Sequence, residues 1–372
     1  MNRCIKVNHL THFQALLNAS ITTKSNSKMS TGKNVFIIGP GLIGWTVLDL
    51  LVAENYKVTG LVRRQEHADG LKESGAEAVV GDLHDEDLIV KNILKNDIVF
   101  HTATADDLPS VQAVLRGVRE KVSRGDPITY IHTSGTSLLD DKALGSFKSD
   151  KIYHDDKQEE IDSLADDAPH RLIDLDILKA RKELQGKAKI AIVIPPLIYG
   201  TSHGRLTIQL PTLARWALKH GHPAHVGQGK SVWSNVHVRD LARGFVTVLH
   251  HLESPQGSED PNPYFFAENS GDNEPSWGEM VSVIGKALHE QGKIEDPTPR
   301  EMPVETYGDV FGPEFTGPVV GMNSRSRAVR LRQMGWKPQE KGWKESLLED
   351  ELPILLEEDH SQFQGYAGAV AS

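Results

Sequence analysis

The chain has 372 residues, of which 38% are hydrophobic and 25% charged, an ordinary mixture for a globular enzyme in water. Its net charge of −10 argues against nucleic acid as a general partner, because binding phosphates requires basic surfaces. The sequence also contains no run of about 18 apolar residues, the length that spanning a membrane requires. Cys4 is the single cysteine, which excludes internal disulfides and zinc–thiolate sites and predicts a reducing compartment.

The first residues have a composition of their own. No acid precedes Asp49, and residues 1–28 carry basic side chains at Arg3, Lys6, Lys24 and Lys28 among many Ser, Thr and Asn. This composition fits a mitochondrial presequence; the alternative is an extended start or a disordered tail, with Met29 as the true beginning. We therefore exclude residues 1–32 from the fold, and expect a cytoplasmic protein, or a mitochondrial one if residues 1–28 are a presequence.

A glycine loop opens the folded part. The apolar run 35–38 predicts a buried strand, a helix follows at 45–53, and a second strand is predicted at 57–62. The spacing G-x-G-x-x-G lies between strand and helix, which is the context of a dinucleotide-binding loop. Gly39 provides the tight turn, Gly41 the close approach to a pyrophosphate, and Gly44 the close helix packing. The helix N-terminus, at Leu42 and Ile43, presents free N–H groups to the phosphates.

The end of the second strand predicts which dinucleotide binds. An NAD site has an acid there that accepts the ribose hydroxyls, whereas this chain has Arg63 and Arg64. A guanidinium matches a 2′-phosphate in geometry and charge, so NADP is favoured over NAD. The alternative is a pair of solvated surface arginines.

Strands and helices continue to alternate along the chain. Strands are predicted at 76–83, 96–104, 128–137 and 188–200, and a helix at 107–125. This order predicts an α/β fold, a Rossmann-type doubly wound parallel sheet, which binds ligands at the carboxyl ends of its strands. Those ends carry Thr102, Thr104, Thr133, Ser134, Thr136 and Pro195.

Seven ordered motifs resemble one superfamily. They are GPGLIG, GDL, FHTAT, YIHTSGTS, PPLIYG, and the segments 226–242 and 326–338. Together they are similar to the extended or atypical, epimerase- and reductase-containing branch of the short-chain dehydrogenases/reductases. The resemblance implies roles for these residues: Asp82 and Leu83 at the adenine, Thr102, Ala103 and Thr133 along the cofactor, Pro195, Pro196 and Ile198 at the nicotinamide, and Ser134 or Thr136 at the substrate oxygen. Ile194 departs from the nucleotide-sugar enzymes, which usually have an arginine there.

The family's catalytic Tyr-x-x-x-Lys is displaced in this chain. Tyr153 and Lys157 have the spacing, but they lie in the acidic stretch 139–168, which is predicted to be a surface loop or lid inserted in the dinucleotide domain. The helix before the PPLIYG strand is predicted at 169–184 instead, and its corresponding residues are His170 and Asp174. His170 is expected to donate the proton and Asp174 to hold it, with Tyr153 as the alternative if the loop folds back over the site. The other interpretation is that His170 and Asp174 have only structural roles.

The remaining chain predicts a smaller substrate-binding domain. We expect a nucleotide-binding domain at 33–200, a substrate domain at 201–358 whose segment 236–269 returns to the sheet, and a tail at 359–372. His220, His222 and His225 are interrupted by Gly221 and Pro223, so no metal site is predicted.

The function expected from these patterns is an NADP(H)-dependent oxidoreductase acting on a small carbonyl or alcohol. The alternatives are a nucleotide-sugar epimerase or dehydratase, and a non-catalytic NADP-binding sensor or regulator. A small-molecule substrate is the expected partner, without nucleic acid or membrane, and the resemblance leaves a homodimer open.

Overall fold

A parallel sheet of seven strands forms the centre of the molecule. The computed structural model describes residues 32–258, 260–271, 273–360 and 363–366, so the expectations for residues 1–28 and Met29 lie outside the described residues.

The strands are β1 (Asn34–Ile38), β2 (Lys57–Val62), β3 (Glu77–Val80), β4 (Ile98–His101), β5 (Ile128–Thr133), β6 (Tyr153–His154), β7 (Ala188–Ile194), β8 (Leu197–Tyr199), β9 (Thr201–Ser202), β10 (Arg205–Leu206), β11 (Ala224–His225), β12 (Asn235–His237), β13 (Tyr264–Phe266), β14 (Arg300–Glu301) and β15 (Ser326–Arg327). The α-helices are α1 (Leu42–Ala53), α2 (Gln65–Glu73), α3 (Glu86–Ile93), α4 (Leu108–Ser123), α5 (Gln158–Asp162), α6 (Arg171–Leu184), α7 (Gln209–His220), α8 (Val238–Glu253), α9 (Pro255–Ser258), α10 (Trp277–Glu290), α11 (Thr316–Gly321), α12 (Val329–Gln333), α13 (Trp343–Ser346) and α14 (Leu352–Leu356). Short 3₁₀ segments lie at Thr136–Leu139 and Val304–Asp309, and a π-helical turn at Leu347–Glu351.

The order of strands in the central sheet is that of a doubly wound fold. It runs β13-β7-β5-β4-β1-β2-β3, so the chain builds outward in both directions from β1. Every neighbouring pair in this sheet is parallel. The predicted Rossmann-type architecture is therefore confirmed.

Helices cover both faces of the sheet. Every residue of β4 and β5 is buried, which requires a packed layer on each side, since successive side chains point to opposite faces. Helix α1 packs against α8, and α4 packs against both α3 and α6. Phe100 of β4 meets Phe245 of α8 edge to face, with ring centroids 6.3 Å apart. The sheet and these helices share one continuous apolar core.

A second apolar cluster is built from the C-terminal half of the chain. Its largest members include Trp216 of α7 and Trp277 of α10, both almost completely buried. Trp233 packs edge-on against Trp277 at a centroid distance of 5.8 Å. The chain nevertheless returns to the main sheet, because β13 pairs with β7 at its edge. The division into domains at 33–200 and 201–358 stays a prediction.

The acidic stretch 139–168 is joined to the fold at its middle. Strand β6 pairs with β15, and Asp155, which follows β6, is completely buried. Its carboxylate accepts the backbone N–H groups of Phe266 (2.9 Å), Val329 (2.8 Å) and Arg330 (3.0 Å). Burial raises the pKa of Asp155 to about 7, against the lowering effect of these donors. The expectation of a solvent-exposed residue is therefore wrong at Asp155, and the description of 139–168 as an inserted loop stays a prediction.

None of the helices in the described ranges combines the length and apolarity that crossing a membrane requires. Nor does this part of the chain bring three or more His, Cys, Asp or Glu side chains together in a way that could hold a metal ion.

Candidate active site

The glycine loop after β1 lies directly against the end of β4. Gly39 has φ +80°, and a Cβ added there would lie 2.3 Å from Cα of Ala103. The N–H of Gly41 donates to the Gly39 carbonyl at 2.7 Å, and the Thr102 hydroxyl donates to the same oxygen at 2.7 Å. Only glycine satisfies both the left-handed backbone and the close approach at residue 39. The structure thus brings Gly39, Gly41, Thr102 and Ala103 together.

Helix α1 begins inside this cradle with its first N–H groups uncapped. Gly41 is the N-cap residue, and no side chain caps the helix. A Cβ on Gly44 would lie 2.3 Å from the Thr102 hydroxyl, so only glycine lets the first turn approach β4 this closely. The N–H groups at the start of the helix, including those of Leu42 and Ile43, lack the intrahelical partner that later residues have. An uncapped N-terminus beside a glycine cradle fits the pyrophosphate of a dinucleotide.

Two further pairs of predicted cofactor-binding residues lie at neighbouring strand ends. Arg63 and Arg64 follow β2 and are exposed, and Nη2 of Arg64 lies 2.9 Å from Nε2 of His67. Asp82 follows β3 and accepts the backbone N–H of His84 at 3.0 Å, which lowers the pKa of its carboxyl group. Leu83 is partly buried beside it. These four positions stand at the carboxyl edge of the sheet, and their contacts with a cofactor stay predictions.

The ends of β5 and β7 are joined by backbone hydrogen bonds. The N–H of Ser134 donates to the Val193 carbonyl at 2.8 Å, and that of Thr136 to the Pro195 carbonyl at 3.0 Å. Pro195 and Pro196 are buried and Ile198 is partly buried, so this edge has an apolar wall. The hydroxyl oxygens of Thr133 and Thr136 are buried, and neither has a hydrogen-bond partner among the described residues.

Asp174 lies under this edge with its charge shielded from water. It is completely buried on α6, and its Oδ2 accepts the hydroxyl of Ser134 at 2.9 Å. Burial raises its pKa to about 7, while the Ser134 hydrogen bond and the charge of His170 lower it. Its Oδ1 is buried without a partner among the described residues. Ser134, itself 3% exposed, is therefore committed to Asp174 and does not reach open space.

His170 makes different contacts from those expected. It is the N-cap residue of α6 with φ +65°, so the one-face geometry of helical residues four apart does not apply to it. Its Nδ1 lies 2.5 Å from Oδ1 of Asp106, and its Nε2 lies 3.1 Å from the hydroxyl oxygen of Ser137. The direct pairing of His170 with Asp174 is not formed.

Asp106, His170 and Ser137 form a hydrogen-bonded row, and the direction of its hydrogen bonds is defined. A carboxylate only accepts, so the proton between Asp106 and His170 belongs to Nδ1. In the neutral ring Nε2 is then the acceptor of the Ser137 hydroxyl. Gly135 makes room for this ring, since a Cβ there would lie 3.0 Å from Nε2. This constellation can take or give one proton at the hydroxyl of Ser137.

Tyr153 and Lys157 do not share a helix. Tyr153 is in β6, and Lys157 is the N-cap residue that precedes the short helix α5. Nζ of Lys157 lies 3.6 Å from Glu160, while Lys151 lies over the Tyr153 ring at 4.7 Å. Burial, with help from the charge of Glu160, raises the pKa of Tyr153, which is opposite to what a proton-donating phenol needs. A role for Tyr153 in the reaction stays a prediction that this geometry does not support.

Sequence reasoning missed Asp106 and Ser137. Both follow strands whose carboxyl ends the sequence marks as a ligand-binding edge: Asp106 comes after β4 and Ser137 after β5. Asp106 is fixed there because its N–H donates to the Thr104 hydroxyl at 3.0 Å. The available signal was position alone, since 64 residues separate Asp106 from His170 and 33 separate Ser137 from it.

Comparison with known proteins gives two matching families and several relatives. The profile of an NAD(P)H-binding family matches residues 39–162, and that of the NAD-dependent epimerase/dehydratase family matches residues 149–262. The "oxidase ucsJ" of an Acremonium species is 30% identical over 285 residues, which is 71% of this chain and 81% of that protein.

Solved structures share the fold at low sequence identity. The yeast methylglyoxal/isovaleraldehyde reductase Gre2, complexed with NADPH, has a TM-score of 0.57 and 16% identity, covering 87% of this chain and 98% of that one. The Thermus thermophilus UDP-glucose 4-epimerase, complexed with NAD, has a TM-score of 0.60 and 16% identity, covering 87% and 99%. One of these neighbours was solved with NADPH and the other with NAD. At 16% identity, each likeness shows the fold alone.

Proposed function

The chain belongs to the short-chain dehydrogenase/reductase superfamily, in its NAD-dependent epimerase/dehydratase branch, and from that premise we propose an NADP(H)-dependent oxidoreductase that interconverts a small carbonyl compound and its alcohol. The observation that carries the proposal is the hydrogen-bonded row Asp106–His170–Ser137 at the carboxyl edge of the sheet. It stands at the same edge as the glycine cradle, because Ala103 of the cradle and Asp106 both follow β4.

The cofactor is held by groups already described. The uncapped N-terminus of α1 and the loop at Gly39 and Gly41 take the pyrophosphate, and Arg63 and Arg64 take the 2′-phosphate. Pro195, Pro196 and Ile198 flank the nicotinamide, as the family resemblance implies. When bound, NADPH supplies a hydride to the carbonyl carbon.

The protein supplies the proton that balances the hydride. As charge develops on the substrate oxygen, the Ser137 hydroxyl donates its proton to that oxygen. The protonated Nε2 of His170 then returns a proton to Ser137, and Asp106 stabilises the charged ring through Nδ1. In alcohol oxidation the same steps run backwards, with neutral His170 as the base. Reduction therefore starts with a proton on Nε2 of His170, and oxidation starts without one.

Asp174 stabilises the turn that lies next to these residues. It accepts the hydroxyl of Ser134 and thereby fixes the turn that carries Gly135 under the His170 ring. Ser134 and Thr136, expected at the substrate oxygen, are 3% and 1% exposed, whereas Ser137 is partly exposed. We therefore assign the substrate-facing hydroxyl to Ser137.

The first test is calorimetric titration of the purified protein with NADPH and with NADH. Wild type is compared with an Arg63→Ala/Arg64→Ala double variant. An Arg116→Ala/Arg119→Ala double variant on α4 removes the same charge from exposed, ion-paired arginines and is the matched control. Selective NADPH binding that is lost only in the first variant supports the proposal; equal binding of both cofactors would remove the assignment of NADP.

The second test follows NADPH oxidation against a panel of small aldehydes and ketones, with wild type and Ser137→Ala. NADPH binding without turnover of any member would favour a non-catalytic regulator, the alternative that the missing helix-borne Tyr–Lys pair suggests. Isomerisation of a sugar nucleotide without net NADPH consumption would favour an epimerase, against which the apolar Ile194 counts.

A further inference from the structure

A two-stranded hairpin far along the chain is fastened to the cofactor helix. Strands β9 and β10 pair antiparallel over residues 201–206. The hydroxyl oxygens of Thr46 on α1 and of Ser202 lie 2.8 Å apart, within hydrogen-bond distance, with both side chains buried. Nε2 of His203 lies 2.7 Å from Asp49 of α1, and the His203 ring stacks on Trp45 with centroids 4.5 Å apart. These contacts fix the hairpin to the helix that begins at the glycine loop.

The turn of the hairpin directs its second strand to the end of β2. His203 and Gly204 both have positive φ, at 52° and 69°, which reverses the chain within two residues. Arg205 follows, and its guanidinium lies over the Trp45 ring, 5.3 Å from the ring centroid. Its Nη2 lies 3.4 Å from Nε2 of His67, the same nitrogen that Arg64 approaches to 2.9 Å.

Arg63, Arg64 and Arg205 thus form a group of three arginines around His67, which we call the arginine cluster. None of the three makes an ion pair with a carboxylate in the described part of the chain, where most other arginines do. Glu66 and Asp82 are nearby acids, and both are exposed. The pKa of His67 is lowered by burial and by the charges of Arg205, Arg64 and Arg63, in that order. Guanidinium groups that form no ion pair with a carboxylate can offer their N–H donors to an anion.

We propose that Arg205 is a specificity-determining residue for the cofactor, which holds the adenosine 2′-phosphate together with Arg63 and Arg64. The inference rests on the proposed NADP(H)-dependent function and adds a residue from outside the predicted nucleotide-binding segment 33–200. Arg205 is half-buried against Trp45, so it contributes an oriented guanidinium, whereas Arg63 and Arg64 are exposed. The guanidinium fork matches the oxygens of a phosphate dianion, a group that the ribose of NADH lacks.

The test uses four probes in calorimetric titrations: NADPH, NADH, 2′,5′-ADP and 5′-AMP. Arg205→Ala is expected to weaken NADPH and 2′,5′-ADP by about ten- to a hundredfold, the range of a hydrogen bond to a charged group, with NADH and 5′-AMP changed less than about twofold. Arg205→Lys should fall between wild type and Arg205→Ala, because it keeps the charge and loses the fork. Arg300→Ala, an exposed arginine on β14, is the control and should bind all four probes as wild type does.

Each outcome separates this inference from the proposed function. Equal weakening of NADPH and NADH in Arg205→Ala would show that the hairpin only supports the helix, and unchanged NADPH binding would show no contact; both overturn the role of Arg205 and leave the NADP assignment standing. Wild type that binds neither cofactor overturns both. If Arg205→Ala does not fold, Arg205→Lys carries the same comparison through the ratio of NADPH to NADH affinity.

Discussion

Replacing Asp174 with asparagine should change how stability depends on pH. Its pKa is raised from 3.8 to about 7 by complete burial, so between these values the folded chain keeps a proton that the unfolded chain has released. Stability from this group is fully present below pH 3.8 and is lost as the pH rises through about 7. The amide in the Asp174→Asn variant resembles the protonated carboxyl, and its oxygen can still accept the Ser134 hydroxyl.

The magnitude follows from the two pKa values. Between pH 5 and pH 8 there are about two pH units in which the Asp174 carboxyl is ionised only in the unfolded chain. At about 1.4 kcal/mol per pH unit, this corresponds to about 2–3 kcal/mol of stability. Wild type should lose this amount relative to Asp174→Asn over that interval. Other buried acids, such as Asp155, act equally in both proteins and cancel in the comparison.

The assay is urea unfolding of both proteins at pH 5 and at pH 8, followed by fluorescence and circular dichroism to check that the transitions coincide. Asp176→Asn, two residues along α6 and hydrogen-bonded to Gln112 at the surface, is the control and should follow wild type. If wild type and Asp174→Asn lose the same stability between pH 5 and pH 8, then Asp174 is already ionised at pH 5 and the argument from burial is refuted.

Three further substitutions test the site. Gly39→Ala places a Cβ 2.3 Å from Cα of Ala103 at a residue with φ +80°. NADPH affinity measured by calorimetry should therefore fall at least about tenfold, and the melting temperature should drop by several degrees. Unchanged affinity would mean that this loop does not bind the cofactor. Ser137→Ala should lower kcat of carbonyl reduction by about a hundredfold while the Kd of NADPH stays within about twofold, with exposed Ser163→Ala as control; an unaffected kcat would remove the proton path. Tyr153→Phe should keep kcat within about threefold, and a hundredfold loss would return the phenol to the mechanism.

The glycine loop and the position of α6 were predictable because their signals are local. The spacing of Gly39, Gly41 and Gly44 states a backbone geometry that the structure shows, and counting back from Pro195 placed the helix at 169–184, two residues before its start at Arg171. Both conclusions depend on neighbouring residues or on lengths of regular elements, which a single sequence contains.

The contacts of His170 were less predictable because its partners are distant in sequence. His170 was expected to turn toward Asp174 by helical spacing, but the left-handed N-cap directs its ring to Asp106 and Ser137. The burial of Asp155 was hidden for a similar reason: an acid in an acidic stretch indicates a solvated loop unless its distant N–H donors are known. The backbone conformation at His170 and the contacts between distant segments decide these positions. The periodicity of hydrophobic residues reports neither.

The buried carboxylate of Asp155 also sets where the length of the chain can vary. One side chain satisfies N–H groups of β13 and of the start of α12, two segments more than a hundred residues away along the chain. An insertion or deletion within 153–162 would separate this acceptor from its donors, whereas the largely exposed stretch 165–169 has no comparable acceptor. Among related chains, we expect variation in the length of the acidic stretch to concentrate at 165–169, directly after a segment of constant length.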